Sequence, residues 1–590
     1  MFKLSNFLFI FPILLISLFT LYPSFNLALF GDDWLAIHRY VTDVGSLSAG
    51  FSRHLQEYLL TYGPTQVIMG ILVHFYNFNS TLFYITSYIL RLFAAFSLFP
   101  IVFYLTKNKL SAFFAVLFFS VTATGFDTTN WVFNMTSYLA IGFFSLFLYF
   151  YLRSKEKGRM IFLLPAIILL YLAYITCSIR MHATLPLIIL LEVFWNLQER
   201  NFFFARKSLI RFGLIIATIF FIRFTGNSFG NPSEGTSRLI EGLNVITSAL
   251  NHGRYDLLAY PFTSFGSVFF PDIVLPFSGQ VSSTRNLIID IVLPILTVFI
   301  VLYKLFALLT HNLKKTFFGI LVAVMIVWTV VTIVFYRLNI STFSSVAYIS
   351  LMLMGGYIII IGLMFIAENY KNKSTSTLLI LSLALTLLSY LYAWWWRPEL
   401  YSTTNRYLIV AAAGAAMFLS GLISLGKNKH YQIAIFIIFI PLLGMHIHAT
   451  RIYEHQLITF GHGQETVNKI WSSMPDLSEI SKKERVSVFY IIGDGTNGSI
   501  LHDSITFGFG FHTALIYNIT QADKVPIVID SWEEAVSVVT DGKAFIRQYG
   551  EIKKPIPVEN VYAFKLEGTN HLIDITLQVR EELRKELQKI

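Results

Sequence analysis

Apolar residues in this chain come in long unbroken blocks, not in the two- or four-residue rhythms of soluble strands and helices. The blocks lie near 7–30, 81–105, 110–124, 133–152, 160–178, 183–197, 208–224, 287–307, 316–335, 346–367, 376–396, 407–425 and 432–449. A helix needs roughly twenty residues to cross about 30 Å of hydrocarbon, so the pattern predicts thirteen spans. The first block reads as a retained helix and not as a signal peptide, because it is long, lacks a small-residue cleavage pattern and is followed by further spans.

After Ala449 the pattern becomes that of a soluble protein. Residues 486–492, 525–529 and 561–565 read as strands, and Val579, Leu583, Leu587 and Ile590 form an apolar stripe at helical spacing. Residues 451–590 are therefore expected to form a separate α/β or α+β domain behind a membrane domain of residues 1–450. Gly493-Asp494-Gly495-Thr496-Asn497-Gly498 formally matches the dinucleotide fingerprint. No clear βαβ unit with its acidic residue accompanies it, so a glycine-rich turn is the simpler reading.

Two connections are longer than turns. Residues 31–80 carry an amphipathic stretch at 51–60, then Tyr62-Gly63-Pro64 and an apolar run at 67–78, a pattern suited to helices lying along a membrane surface. Residues 225–286, rich in Gly, Ser, Pro and aromatics, are expected to form a partly ordered lid.

A content of 55% hydrophobic against 13% charged residues, with mean hydropathy +0.63, excludes a set of ordinary soluble domains. With Cys177 alone, no intramolecular disulfide is possible. The net charge of +10 is explained by its placement. With the N-terminus in the cytoplasm, the inner connections hold fifteen basic residues against the three acids Glu156, Glu199 and Glu368, while the outer ones hold nine basic and ten acidic residues. Basic residues accumulate in short cytoplasmic loops. The charge is thus a topology signal with no nucleic-acid partner implied, and an odd number of spans puts residues 451–590 outside the cell membrane.

The candidate chemistry gathers on the outer connections. Asp32-Asp33 directly follows the first block, Asp127 lies after the third, Arg180 and His182 after the fifth, Arg337 after the ninth, and Arg406-Tyr407 before the twelfth. Adjacent acids at the mouth of a span are costly to desolvate. Carboxylates serve as general bases or cation ligands, and guanidinium forks match phosphate. Such a mixture fits a substrate that carries a phosphate, together with a hydroxyl nucleophile that needs activation. Structural readings stand beside these: a solvated boundary for the acid pair, a helix cap for Asp127, interfacial anchors for the three arginines and a packed ring for His182. Trp394-Trp395-Trp396 marks the outer interface, and Arg91 inside the second span needs a partner or a snorkelling route.

Residues 1–450 resemble the GT-C superfamily of polyprenyl-phosphate-dependent glycosyltransferases, which includes protein O-mannosyltransferases, the lipid A aminoarabinose transferase and Rgt-like enzymes. The resemblance rests on Asp32-Asp33 just past the first helix, the amphipathic first loop, Asp127-Thr128-Thr129-Asn130-Trp131, and Asn405-Arg406-Tyr407 leading into a late span. It implies a polytopic helical fold and transfer of a hexosyl or pentosyl group, with inversion, from a polyprenyl-phosphate-linked donor to a hydroxyl of a lipid, glycan or protein acceptor. Asp32 becomes the base and Asp33 a positioning group. Arg406, then Arg180 and Arg337, would stabilise the departing phosphate, with Asp127, His182 and Tyr407 beside the substrates. The superfamily includes metal-dependent and metal-independent enzymes, so a divalent cation stays open and no other cofactor is implied. Two other classes share such a scaffold. An O-antigen-type polymerase or ligase would not require acids at the end of the first helix, and a lipid or glycan transporter would more often show paired repeats; no convincing internal repeat is found in this chain.

Overall fold

The computed structural model describes residues 4–44, 63–156, 159–199, 206–225, 232–275, 315–338, 346–426, 428–493, 508–543, 554–568 and 571–589, with isolated positions between 288 and 300. The helical part contains α1 (Leu4–Leu21), α2 (Asp32–Val44), α3 (Gly63–Tyr76), α4 (Ser80–Thr106), α5 (Lys109–Val121), α6 (Asp127–Asn130), α7 (Thr136–Ser154), α8 (Leu163–Cys177), α9 (Thr184–Gln198), α10 (Arg206–Thr225) and α11 (Pro232–Asn251). It continues with α12 (Asp256–Phe269), α13 (Lys315–Leu338), α14 (Val346–Glu368), α15 (Lys373–Trp396), α16 (Ile409–Ser424), α17 (Lys429–Leu457) and α18 (Gln464–Ser473). The C-terminal part contains β1 (Val488–Gly493), α19 (Phe509–Ile516), β2 (Ile527–Ile529), α20 (Trp532–Thr540), β3 (Val561–Glu567), β4 (His571–Asp574) and α21 (Thr576–Leu587).

Among the described residues nine helices are long and apolar enough to cross a membrane: Phe9–Asn26, Ser80–Thr106, Val132–Ser154, Met160–Arg180, Gly319–Arg337, Ala347–Glu368, Lys373–Trp396, Arg406–Ser424 and Lys429–Leu457. Each coincides with an expected span. Of the other four, α5 and α9 are apolar but only 13 and 15 residues long. The helix α10 has 20 residues and carries Arg206, Lys207, Arg211 and Arg223, and 287–307 falls mostly outside the described residues. Arg211 is not exposed to lipid. Its guanidinium makes two 2.9 Å hydrogen bonds to the carboxylate of Glu192 on α9, and the hydroxyl of Tyr151 donates to the same group at 2.6 Å. A buried charge is tolerable only when paired in this way.

Small residues set how closely the helices approach. The sequence of α16 is rich in alanine and glycine, and every residue from Ile409 to Ile423 is buried, which makes it the central helix. At the crossing of α12 and α14, a Cβ on Gly266 would lie 2.1 Å from the Leu351 carbonyl oxygen, and one on Gly355 would lie 2.1 Å from that of Phe262. Within 225–286 the described residues form α11 and α12, the latter largely buried.

The sheet has the order β2-β1-β3-β4, with β1 parallel to both β2 and β3, and β4 antiparallel to β3. The three strands expected from the sequence are present; β4 was missed because only Leu572 of its four residues is buried. Side chains alternate between faces. Val488, Tyr490, Ile527, Ile529 and Ala563 pack beneath α20 and α21. Phe489, Ile491, Val528, Phe564 and Leu566 share a core with Leu27, Leu29, Trp34, Leu35, Met69 and Leu72 of the helical part. On α21, Val579 and Leu583 are buried as expected while Leu587 is exposed. The stretches 51–60 and 494–498 lie outside the described residues.

Leucine at Gly266 or Gly355 is expected to lower the thermal unfolding midpoint measured in lipid nanodiscs, each adding strain of about 1–3 kcal/mol or more. Gly319→Ala, where nothing lies within 4 Å of the added Cβ, is expected to leave the midpoint unchanged.

Candidate active site at one end of the bundle

After α1 the chain turns through Tyr22–Asn26, and Leu27 forms a bridge with Gly463. Gly31, with φ +58°, then reverses it into α2. Asp32 and Asp33 occupy the first turn of that helix, where free N–H groups and the helix dipole favour acids. The two differ sharply in surroundings. Asp33 is fully buried, one carboxylate oxygen accepting the Phe133 N–H at 2.6 Å and the other the Phe30 N–H at 3.3 Å. Burial pushes its carboxyl up to about 8, against the pull of those N–H groups and with a further push from the Asp32 charge. Asp32 is partly exposed.

Asp127 is placed by a loop with little freedom. Gly125 has φ +72°, and a Cβ there would lie 2.6 Å from the Ile409 Cα, so only glycine fits against the start of α16. The N–H groups of Gly125 and Asp127 donate to the carbonyls of Thr403 and Thr404 at 2.8 and 2.9 Å. From α4, the buried Arg91 donates to the Thr129 hydroxyl at 2.8 Å, to the Phe119 carbonyl at 3.4 Å and to the Thr122 carbonyl. The partner that Arg91 needs is thus the loop itself. From α17, His446 accepts the Ala123 N–H on Nδ1 at 3.3 Å. Its Nε2 therefore carries the proton and donates to the Phe269 carbonyl at 3.0 Å.

The Asp127 carboxyl is hydrogen-bonded by the Thr404 side chain and feels Arg406 and Asp272. Burial pushes it up to about 7, Thr404 and Arg406 pull it down, and the Asp272 charge pushes it up. Asp272 accepts a hydrogen bond from the Tyr453 hydroxyl, and its N–H donates to Thr403 Oγ1 at 3.0 Å.

Rings and guanidiniums connect these acids. Phe30 stacks on Trp131 at 5.6 Å, and the Arg406 guanidinium lies 4.4 Å from the Trp131 ring. Arg406 and Arg180 both lie over Tyr407, at 5.8 and 4.9 Å. Arg180 is 5% exposed and bonds Ser137 Oγ at 3.3 Å through Nε. His462 stands edge-on to Phe30 at 4.6 Å. One run of contacts therefore joins the turn that bears Asp32 to Asp127's neighbour Arg406 and on to Arg180.

His182 stacks on Tyr392 at 4.0 Å. Arg337 is exposed at the end of α13, and among the described residues no polar or ring contact ties it to this group. Sequence reasoning missed Asp272, Tyr453, His446 and His462; the one available signal was that Asp272 is an isolated acid in an apolar, aromatic stretch. Among the described residues no group of three or more His, Cys, Asp or Glu side chains is arranged to hold a metal ion.

Fold and site together define a multi-pass helical membrane protein with a C-terminal sheet and a mixed carboxylate–guanidinium cluster at one end of its bundle. No protein-family model matches the chain, and no curated protein matches it. Solved structures similar to it include three of the oligosaccharyltransferase of the archaeon Archaeoglobus fulgidus. The complex with zinc and sulfate has a TM-score of 0.42 at 13% identity, covering 93% of this chain and 67% of that one. The complex with an inhibitory peptide and a dolichol-phosphate gives 0.36 at 13% identity, covering 94% and 69%. The form tethered to an acceptor peptide gives 0.35 at 12% identity, covering 88% and 64%.

Infrared titration of the carboxyl bands, assigned with Asp33→Asn and Asp127→Asn, is expected to show midpoints near 8 for Asp33 and 7 for Asp127. Arg406→Gln removes a positive charge and is expected to raise the Asp127 midpoint; Asp272→Asn removes a negative charge and is expected to lower it. Both carboxyls hold their proton more tightly folded than at the ordinary 3.8. Their contribution to stability is accordingly present at low pH and declines as pH rises from 3.8 through 7 and 8.

Proposed function

We propose that the chain is a membrane glycosyltransferase that moves a sugar from a polyprenyl-phosphate-linked donor to an acceptor hydroxyl at the extracytoplasmic face of the membrane, with inversion. The observation that supports this reading is the run from the partly exposed Asp32 turn through Trp131 to Arg406 and Arg180, in which acidic and guanidinium side chains lie along one line of contacts. The GT-C resemblance of Asp32-Asp33, Asp127–Trp131 and Asn405–Tyr407 supports the same assignment.

Asp33 already accepts two backbone N–H groups, which suits a group that shapes the turn. Asp32, partly exposed in that turn, is the general base. It takes the proton of the acceptor hydroxyl as that oxygen bonds to the anomeric carbon. The bond from that carbon to the phosphate oxygen breaks, and its electron pair leaves with the polyprenyl phosphate. The charge that develops there is met by Arg406 and Arg180, whose guanidiniums are pre-placed over Tyr407. The polyprenyl chain lies among lipid-facing side chains such as Phe11, Leu15 and Phe19 of α1. His182 and Arg337 have no part in this scheme.

Transfer from labelled polyprenyl-phosphate sugars by the purified protein in nanodiscs tests the reading. Asp32→Asn is expected to lower kcat by about 10²–10⁴-fold, and Arg406→Gln to lower kcat and raise the donor KM. If folded Asp32→Asn and Asp33→Asn both retain parental turnover, the mechanism is wrong.

A further inference from the structure

The C-terminal part does more than pack beside the helical part. The residues it meets include Gly31 in the turn before α2 and Trp34 and His38 on α2, spaced three and four apart and so lying along one face of the turn and helix that carry Asp32. At the first of these, Gly508, with φ +111°, approaches so closely that a Cβ on it would lie 2.6 Å from the Gly31 carbonyl oxygen. At the second, the His512 ring stacks on Trp34 at 3.7 Å with planes 11° apart. The other side of this stack is closed by Trp471, edge-on to His512 at 4.0 Å and itself stacked on Phe509 at 4.7 Å. At the third, His38 Nε2 bonds the Ile519 carbonyl at 2.9 Å; a carbonyl only accepts, so the imidazole donates. Trp34 is further fixed by its indole N–H, which donates to the Leu29 carbonyl at 3.0 Å.

From this we infer that α19 is a positioning element of the proposed active site: through Gly508 on Gly31 and His512 on Trp34 it seats the first turn of α2 and so aims Asp32. The inference rests on the glycosyl-transfer reading for its catalytic consequence, and on geometry alone for the seating. His512 acts through its ring faces. Its Nδ1 is buried without a hydrogen-bond partner, and burial pushes the imidazole down to about 3, so the stacked ring is neutral across the working range.

The test uses the full chain in nanodiscs and two readouts. His512→Ala removes the stack, Gly508→Ala drives a methyl into Gly31, and His512→Phe keeps an aromatic face; Leu577→Ala, at a side chain 79% exposed on α21, is the remote control. Size-exclusion profiles and unfolding midpoints select the variants that fold. In His512→Ala and Gly508→Ala the infrared midpoint of Asp33 is expected to fall from about 8 as water reaches the loosened turn. The kcat is expected to fall by about 10–100-fold with the donor KM little changed, as befits an aligned group moved by a fraction of an ångström. His512→Phe is expected to restore both readouts. An unmoved Asp33 midpoint in the folded variants overturns the seating, and a moved midpoint with parental kcat overturns its catalytic consequence. A parent that transfers no sugar from any polyprenyl-phosphate donor sinks the glycosyl-transfer reading while the midpoint still decides the seating.

Discussion

A guanidinium cannot sit inside an apolar bundle without partners, and Arg91 is where this constraint ties the bundle to its site. With 1% exposure, it spends its donors on the Thr122 carbonyl, the Phe119 carbonyl and the Thr129 hydroxyl, and it lies near the Tyr138 ring. Those groups bracket the loop that bears Asp127. Opening the loop would strip a buried cation of its acceptors, a change far more costly than losing an ordinary hydrogen bond. His446 repeats the device from the other side, one ring nitrogen on the loop and the other on the end of α12. Asp127 therefore meets Arg406 and Asp272 in a frame set from within the bundle.

The second acid is held differently. Asp33 is anchored by backbone N–H groups, one of them from Phe133 just past the Asp127 loop, so the two acidic segments share a boundary. Above them the sheet presents one apolar face to the same core that contains Leu29 and Trp34. A sheet with both faces covered has near-continuous apolar strands, which is how β1 reads. The continuity of that core ties the C-terminal part to the segment that bears Asp32 and Asp33.

Much of the fold was legible in the sequence because its signals are local. Nine of the expected spans are helices of membrane-crossing length, and three strands appeared where apolar runs stood. Where the reading fell short, the reason was also physical. The blocks at α5 and α9 form apolar helices of 13 and 15 residues, shorter than the other expected spans, because the blocks themselves are short in the sequence. The helix α2 went unread because its apolar residues Trp34, Leu35 and Ile37 stand among Asp32, Asp33, His38 and Arg39 over only 13 residues; its partners come from α3 and α19.

The sequence by itself determined that this is a many-spanning helical protein with a C-terminal sheet, and that acids and arginines gather between its spans. Apolar block length, strand alternation and charge placement carry that information within short windows. Only the tertiary structure decided which of two adjacent acids is enclosed, which groups Arg91 bonds, that Asp272 and Tyr453 join Asp127, and that His182 stacks on Tyr392. Asp32 and Asp33 have the same chemistry and neighbouring positions. One turn of helix, with the segment after α6 on one acid and a helix from the far end of the chain packed beside it, leaves one partly exposed and the other buried.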